Sequence, residues 1–308
     1  MVKLSVVISA FNNEDKIKDC LESVKWADEI VFVDNSSTDK TLDVAKKYTS
    51  KIFSRPNNKM LNINKNFGFS KAEGDWILSL DSDERVTPEL KKEIVSILDQ
   101  RPKTKDQRPV NGYWIPRKNI IFGKWMQHTG WYPDHQLRLS RNGKGRFEEK
   151  HVHEMIKVEG ETGYLKNNIT HYNYDSIMQF LSKMANIYAP NEAEQKIANG
   201  YIFNWRDAIR FPVGEFLSRF FAREGYRDGF HGLMLSILMA FYHFIVFASI
   251  WEMQKFNDST DDKFLEEVNS ELDKSHQQIR FWSSKERIKQ IKNPFRKALS
   301  ILIDKLSW

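Results

Sequence analysis

Cysteine is almost missing from this chain: Cys20 is the only one in 308 residues. A single thiol excludes an internal disulfide framework and fits a reducing compartment. Cys20 shares a helical face with Ile17, Leu21 and Val24, so it reads as core and not as a nucleophile. Neither G-x-G-x-x-G nor G-x-x-x-x-G-K-[ST] occurs, which removes the main signals for dinucleotide and P-loop binding. The first apolar run, Val2 to Phe11, is short, is broken by Lys3 and Ser5, and lacks a small-residue cleavage site. It reads as a strand of the fold, not as a signal peptide.

What is present describes a folded protein: 41% hydrophobic and 29% charged residues are globular proportions. A length of 308 residues allows one large core or two modest ones. The net charge of +6 is unevenly spread. From His276 to Trp308 there are eight Lys or Arg against Glu286 and Asp304, a surplus equal to that of the whole chain. An anionic surface is the expected partner of such a tail. Nucleic acid is disfavoured, because these cations alternate with aliphatics and not with aromatics in a groove.

Strand and helix patterns alternate through the first 100 residues. Strands are expected at Lys3 to Ser9, Glu29 to Asp34, Lys51 to Ser54 and Asp75 to Leu80. Helices are expected at 14–25, Thr41 to Tyr48, Ile63 to Ala72 and 87–99, the last with Pro88 in its first turn. This order predicts an α/β fold with a parallel sheet covered on both faces. Ser9, Asp34 and Asp81 then fall at strand C-termini, where open α/β sheets bind ligands.

The stretch Trp76 to Glu84 organises this half. Its apolar run ends at Asp81-Ser82-Asp83, and two carboxylates one residue apart suit a hard divalent cation, Mg²⁺ or Mn²⁺, bridging a diphosphate. A solvated turn that caps the next helix is the plainer alternative.

Arg101 to Pro109 reads as a surface loop. Beyond it, strands are expected at Tyr113 to Phe122, Gln136 to Leu139, His151 to Val158 and Tyr164 to His171. The intervening loop Gly130-Trp131-Tyr132-Pro133-Asp134 is aromatic. Trp125, Trp131 and Tyr132 read either as a platform for a sugar ring or as core.

From Ser176 the chain turns helical. Phe230 to Trp251 holds 22 residues without Asp, Glu, Lys or Arg, enough to span a bilayer. A helix lying in the interface or packed in an apolar hairpin is the other reading. Lys255 to Asp273 is expected to be an acidic, helical connector. In the tail, Ile288, Ile291, Phe295, Leu299, Leu302 and Leu306 approximate one apolar face opposite the lysines, a membrane-surface pattern or a partner helix.

Four stretches carry a resemblance: Val7-Ile8-Ser9-Ala10-Phe11-Asn12, Val33-Asp34-Asn35-Ser36-Ser37-Thr38-Asp39, Asn66 to Gly74, and Asp81-Ser82-Asp83. Together they resemble the family 2 glycosyltransferases of the GT-A fold, a Rossmann-like nucleotide-diphospho-sugar fold. Asp134 to Leu139, Val152-His153-Glu154, Ile169-Thr170-His171-Tyr172 and Arg227-Asp228-Gly229-Phe230 resemble the narrower lipopolysaccharide-core β-glucosyltransferase type.

The resemblance implies a nucleotide-sugar-binding half at 1–100, an acceptor-binding half at 101–175, and a helical, membrane-associating extension at 176–308. It implies an inverting hexosyltransferase that moves one sugar from a nucleotide-diphosphate donor, UDP-sugar by default, to a lipopolysaccharide core or lipid-linked acceptor. It further implies a place at the cytoplasmic face of the cell membrane. Asp34 would meet the base or ribose, with Ser9 and Phe11 bordering the pocket. Asp81 would meet ribose or metal, Asp83 the metal, and His171 is a candidate third metal ligand. Arg138 and Arg141 would neutralise diphosphate or simply lie on the surface. Glu154 is the first choice for the base and Asp134 the second.

Two departures matter. The presumed base position carries His-Glu in place of the family's Glu-Asp pair, and no Gln-x-x-Arg-Trp stretch is present. The second departure argues for single addition over processive synthesis. Two other classes stand beside this reading: a haloacid-dehalogenase-like phosphatase with Asp81 as nucleophile, and a non-catalytic membrane adaptor.

Overall fold

The computed structural model describes residues 2–58, 61–98, 109–149, 154–257 and 262–306. The chain folds as two compact units, Met1–Trp125 with Tyr132–Asn173, and Met126–Trp131 with Tyr174–Trp308.

The first unit opens with four parallel strands, β1 (Leu4–Ala10), β2 (Glu29–Asp34), β3 (Ile52–Ser54) and β4 (Trp76–Asp81), ordered β3-β2-β1-β4. Helices α1 (Glu14–Val24), α2 (Thr41–Ala45), α3 (Leu61–Phe69) and α4 (Pro88–Leu98) follow successive strands. Side chains alternate along β1, and both sets are buried. Leu4, Val6 and Ile8 pack with Ile17 and Leu21 of α1 and Leu90 and Ile94 of α4. Val7, Val31 and Ile77 pack with Phe69 and Phe147 on the other face. Gly68 lets α3 approach closely, since a Cβ there would lie 2.5 Å from Val7 Cγ1. In this register Ser9 pairs with Asp81, and Ala10 with Asp34. The three polar strand ends therefore share one edge, as the alternating pattern predicts.

The rest of the sheet is mixed. It uses β5 (Glu84–Val86), β6 (Val110–Ile121), β7 (Lys124–Trp125), β8 (Asp134–Arg141), a separate small ladder of β9 (Gly145–Arg146) with β10 (Lys157–Val158), then β11 (Glu161–Tyr164) and β12 (Ile169–Tyr174). The sheet continues from β4 through β8, β6 and β12 to β5, with β7 and β11 pairing to β6. β8 is antiparallel to both β4 and β6, and β12 is antiparallel to β5.

Several expectations change here. The polar loop after Asp81 is a two-residue turn followed by a strand, β5. The single strand over Tyr164 to His171 is two strands. Its break is held by Glu93 of α4, which accepts the backbone N–H groups of Lys166 and Asn167 at 2.9 Å each. Of His151 to Val158, the described part 154–158 is strand only at Lys157–Val158; 151–153 lie outside the described residues, as does 101–108 of the expected loop. Asp134 is the first residue of β8, not a loop residue.

The second unit is helical. α5 (Ile177–Lys183) runs through a π turn at Met184–Tyr188 into α6 (Ala189–Ala198). α7 (Asp207–Phe216) passes through a second π turn, Leu217–Ala222, to a 3-10 turn at Gly225–Asp228 and then α8 (Phe230–Met253). Ala189 and Ala193 pack on Val246 and Ile250. α8 is long and apolar enough to cross a membrane, and 33% of its most apolar window is buried within the protein.

The expected acidic, helical connector is largely the start of α9 (Phe264–Gln290), tied to α7 by Glu271, which accepts from Arg210 Nε and Nη2 at 2.8 Å each. The tail is not one amphipathic helix. Ile291 is extended (φ −72°, ψ 110°), and α10 (Pro294–Leu306) begins anew. Pro294 has no N–H to continue α9, and it disfavours helical backbone just before it.

Candidate active site

Asp34 ends β2 and is buried. Both its carboxylate oxygens accept the Ser37 N–H, at 3.3 and 3.2 Å, which fixes the turn after the strand. Ser9 and Asn35 exchange hydrogen bonds at 3.2 and 3.0 Å, and Asn64 Nδ2 donates to Asn35 Oδ1 at 2.7 Å. Phe11 lies exposed just past β1.

Asp81 ends β4 between two cations. Lys65 Nζ lies 2.5 Å from its Oδ1, and Arg138 Nη2 donates to its Oδ2. Burial pushes the Asp81 carboxyl up, but the charges of Arg138 and Lys65 and their hydrogen bonds outweigh that and hold it well below the usual carboxylate range. Arg138 Nη2 also donates to Glu84 Oε1 at 2.7 Å, and Glu84 is fully buried. Glu84 Oε2 accepts the Asp81 N–H at 3.0 Å, closing the turn between β4 and β5. Arg117 Nη1 stands 3.5 Å from Glu84 Oε1, while its Nε and Nη2 donate to Asp134 Oδ2 at 2.9 and 2.5 Å. Burial raises the Asp134 carboxyl, and the Arg117 charge with the Asn119 and Gln136 amides lowers it further, to a net depression. Three carboxylates, Asp81, Glu84 and Asp134, are thus matched by Lys65, Arg117 and Arg138.

Asp83 stands beside this set. Its carbonyl accepts the Tyr172 N–H at 2.9 Å, extending the β5–β12 ladder in which His171 pairs with Glu84. His171 Nε2 comes to 3.6 Å from Asp83 Oδ1, and His171 Nδ1 lies 2.7 Å from Asn119 Oδ1. Among the described residues no group of three or more His, Cys, Asp or Glu is placed to hold an ion. Two protein ligands with the remaining positions left to diphosphate and water is nonetheless the usual arrangement for a Mg²⁺-type ion. One carboxylate oxygen here faces one imidazole nitrogen, and the carboxylate is the donor type that suits Mg²⁺ or Mn²⁺.

Glu154 Oε2 accepts the Glu149 N–H at 2.7 Å. Asn66 of α3 clamps this loop: it accepts the Phe147 N–H at 3.0 Å and donates to Phe147 O at 2.9 Å and Glu149 Oε1 at 2.7 Å. Trp125 and Tyr132 meet edge to face at 5.4 Å in the first unit. Trp131 belongs to the second, against Tyr174 and Arg219. Arg141 stacks on Trp76 at 4.8 Å, at the start of β4 and away from its carboxylates. Of the two arginines, only Arg138 therefore joins the carboxylate set.

Sequence reasoning missed Lys65, Glu84, Arg117 and Asn119. A signal for the last two existed. Along β6, Ile115, Arg117, Asn119 and Ile121 share one face, with Ile115, Asn119 and Ile121 fully buried. Polar residues at inward positions need partners.

Comparison with known proteins identifies the family. The family description "Glycosyl transferase family 2" matches residues 5–158. An uncharacterized glycosyltransferase of Rickettsia typhi is 30% identical over 266 residues, covering 82% of this chain and 88% of that protein. The lipopolysaccharide core biosynthesis glycosyltransferase LpsC of Rhizobium meliloti is 26% identical over 255 residues, covering 81% of this chain and 92% of LpsC. Among solved structures, Staphylococcus aureus TarS 1–349 in complex with UDP aligns at a TM-score of 0.43 and 17% identity, over 84% of this chain and 94% of that one. The chain belongs to glycosyl transferase family 2, and it is a glycosyltransferase of the GT-A fold.

Proposed function

We propose that this enzyme transfers one sugar, with inversion, from a UDP-sugar to a membrane-linked glycan such as a lipopolysaccharide core or a lipid-linked acceptor, using a divalent cation. The carrying observation is the facing of Asp83 Oδ1 and His171 Nε2 at the end of the central parallel strands. A phosphatase or adaptor reading is set aside by the family membership, and both oxygens of Asp81 are already engaged by cations.

Asp34 receives the base or ribose, with Ser9 and Phe11 at the pocket's border. Asp83 and His171 would hold Mg²⁺ or Mn²⁺, and such an ion would supply Lewis-acid stabilisation of the leaving diphosphate's charge. Asp81 and Arg138 form the charged floor beside it. Glu154 takes the acceptor hydroxyl's proton as the acceptor oxygen bonds to the anomeric carbon. The bond to the diphosphate breaks, and its electron pair leaves with the nucleotide. Asp134 is a weaker candidate for base, because Arg117, Asn119 and Gln136 all donate to it. Trp125 and Tyr132 offer aromatic faces for the acceptor, and Trp131 is a separate candidate within the second unit.

The acceptor class is supported by the name of LpsC and by the second unit. α8 exposes Phe230, Ile237, Phe241 and Phe244, and α10 exposes Phe295, Leu299 and Leu302 beside Arg296 and Lys297. Such surfaces suit the cytoplasmic face of an anionic membrane.

The test is thermal stabilisation by UDP, GDP, TDP and CDP, each with and without Mn²⁺. Ligand at 100 times its Kd contributes about 2.7 kcal/mol. A Mn²⁺-dependent shift with UDP that is lost in Asp83→Asn is expected. Equal behaviour of all four nucleotides, or of the variant and the parent, overturns the reading.

A further inference from the structure

Asp134 is half-buried under donors that no proton-transfer role requires. Arg117 gives it two hydrogen bonds, Gln136 Nε2 one at 3.0 Å, and Asn119 Nδ2 one at 3.2 Å. An ionised carboxylate only accepts hydrogen bonds, so the Asn119 amide must turn its NH₂ toward Asp134. Its carbonyl oxygen is then committed to the opposite side, where His171 Nδ1 lies 2.7 Å away. A carbonyl oxygen cannot donate, so Nδ1 must carry the proton. In a neutral imidazole this leaves Nε2 with its lone pair, aimed at the side where Asp83 Oδ1 stands 3.6 Å off.

We infer that Asn119, itself oriented by Asp134, is a positioning residue that fixes the tautomer and direction of His171 for the cation held with Asp83. Asn119 is wholly buried, so water does not compete for either end of its amide. It sits on β6, whose hydrogen-bonded neighbours β8 and β12 carry Asp134 and His171. Three adjacent strands thus supply carboxylate, amide and imidazole in one line, and the sheet register fixes their spacing. Outer-shell partners of this kind typically tune metal affinity by about 10–100-fold.

This inference rests on the metal reading proposed above, and its test separates the two. Mn²⁺ affinity is measured on the full chain with saturating UDP, by titration calorimetry or by the Mn²⁺ electron paramagnetic resonance signal, for the parent, Asn119→Leu and His171→Ala. The side-chain ¹⁵N resonances of His171 are read on the metal-free parent. The expected result is an Nδ1–H tautomer in the parent and a loss of about 10–100-fold in Mn²⁺ affinity for Asn119→Leu, with metal-free UDP binding retained. The tautomer measurement needs no variant, so it stands even where Asn119→Leu fails to fold. An Nε2–H tautomer in the parent overturns the inference. So does unchanged Mn²⁺ affinity in Asn119→Leu when His171→Ala weakens it. Unchanged affinity in both variants removes His171 from the metal site and takes the inference with it.

Discussion

The Tyr172 N–H donates to the Asp83 carbonyl at 2.9 Å, and this backbone bond decides where His171 points. It continues the antiparallel pairing of β12 with β5, so the residue before Tyr172 is held against the carboxylate turn after β4. A side-chain relationship at 3.6 Å is thereby set by main-chain register, which is stiffer than any surface loop.

Asp83→Asn keeps the shape of the turn and removes one charge from the proposed ion site. Lewis-acid stabilisation of a leaving group is worth several kcal/mol, and each ~1.4 kcal/mol is tenfold in rate. The expected outcome is a fall in kcat/KM of at least about 100-fold, with the melting temperature little changed. Steady-state transfer assays with Mn²⁺ titration check it, and a variant restored by excess Mn²⁺ shows weakened binding and not lost chemistry.

Arg138 tests the structural side of the same cluster. Its loss leaves Glu84 and Asp81 facing each other with only part of their counter-charge, and breaking a buried pair costs roughly 3–5 kcal/mol. Arg138→Leu is therefore expected to lower stability by that order in urea titration, and to lower it far more than Lys144→Leu, whose pair with Glu159 is exposed.

The pH dependence follows from Asp81, whose folded carboxyl lies below its unfolded value. Such a group contributes stability that is full above the unfolded pKa of about 4 and is lost as pH falls through the folded value. Stability should therefore decline on acidification below about pH 4, and Lys65→Met should flatten that decline. Melting curves from pH 7 to pH 3 decide it; an identical slope in the variant counts against the pairing of Lys65 with Asp81.

The parallel half was legible because its information is local. Val6, Ile8, Val31 and Val33 form short β-branched runs, and the Ile17, Cys20, Leu21 and Val24 spacing marks α1, all at 0% exposure. Asp34 and Asp81 followed as strand ends. The mixed half was not legible, because its content is pairing. β5 has three residues and no measurable period, and β11 and β12 separate only because Glu93, far back in α4, caps the turn between them. Glu84 looked like one more carboxylate in a polar loop. Only the fold shows it buried beneath Arg138 and Arg117. The tail failed differently: the apolar spacing across Ile288 to Leu306 ignored Pro294, whose backbone chemistry overrides amphipathic pattern.

Asn66 offers a test of the proposed base. Its three hydrogen bonds pin Phe147 and Glu149, and the Glu149 N–H in turn holds Glu154. Asn66→Ala releases that loop while leaving Asp34 and Asp83 in place. Lower kcat with unchanged UDP affinity is expected, alongside a stability loss of about 1–3 kcal/mol from the unmet polar groups. Glu154→Gln should remove most activity and leave UDP binding intact. A fully active Glu154→Gln would falsify the base assignment.

On α10, Phe295 is 86% exposed and Leu299 and Leu302 are each 57% exposed. Arg296 and Lys297 lie on the same short helix, which is the composition of an interfacial segment and not of a buried one. Cations near an anionic leaflet contribute ~1 kcal/mol each, and that attraction is screened beyond a Debye length of about 8 Å at physiological salt. Sedimentation with phosphatidylglycerol-containing vesicles should therefore capture the enzyme, and neutral phosphatidylcholine vesicles should capture it less. Leu299→Asp with Leu302→Asp should release it from both, since the apolar insertion is lost. Arg296→Gln with Lys297→Gln should release it selectively from the anionic vesicles. Because these substitutions lie outside the first unit, transfer to a short, lipid-free acceptor analogue should be unaffected, while transfer to a vesicle-embedded acceptor falls. Equal loss with both acceptors would mean that α10 supports the fold and not the membrane.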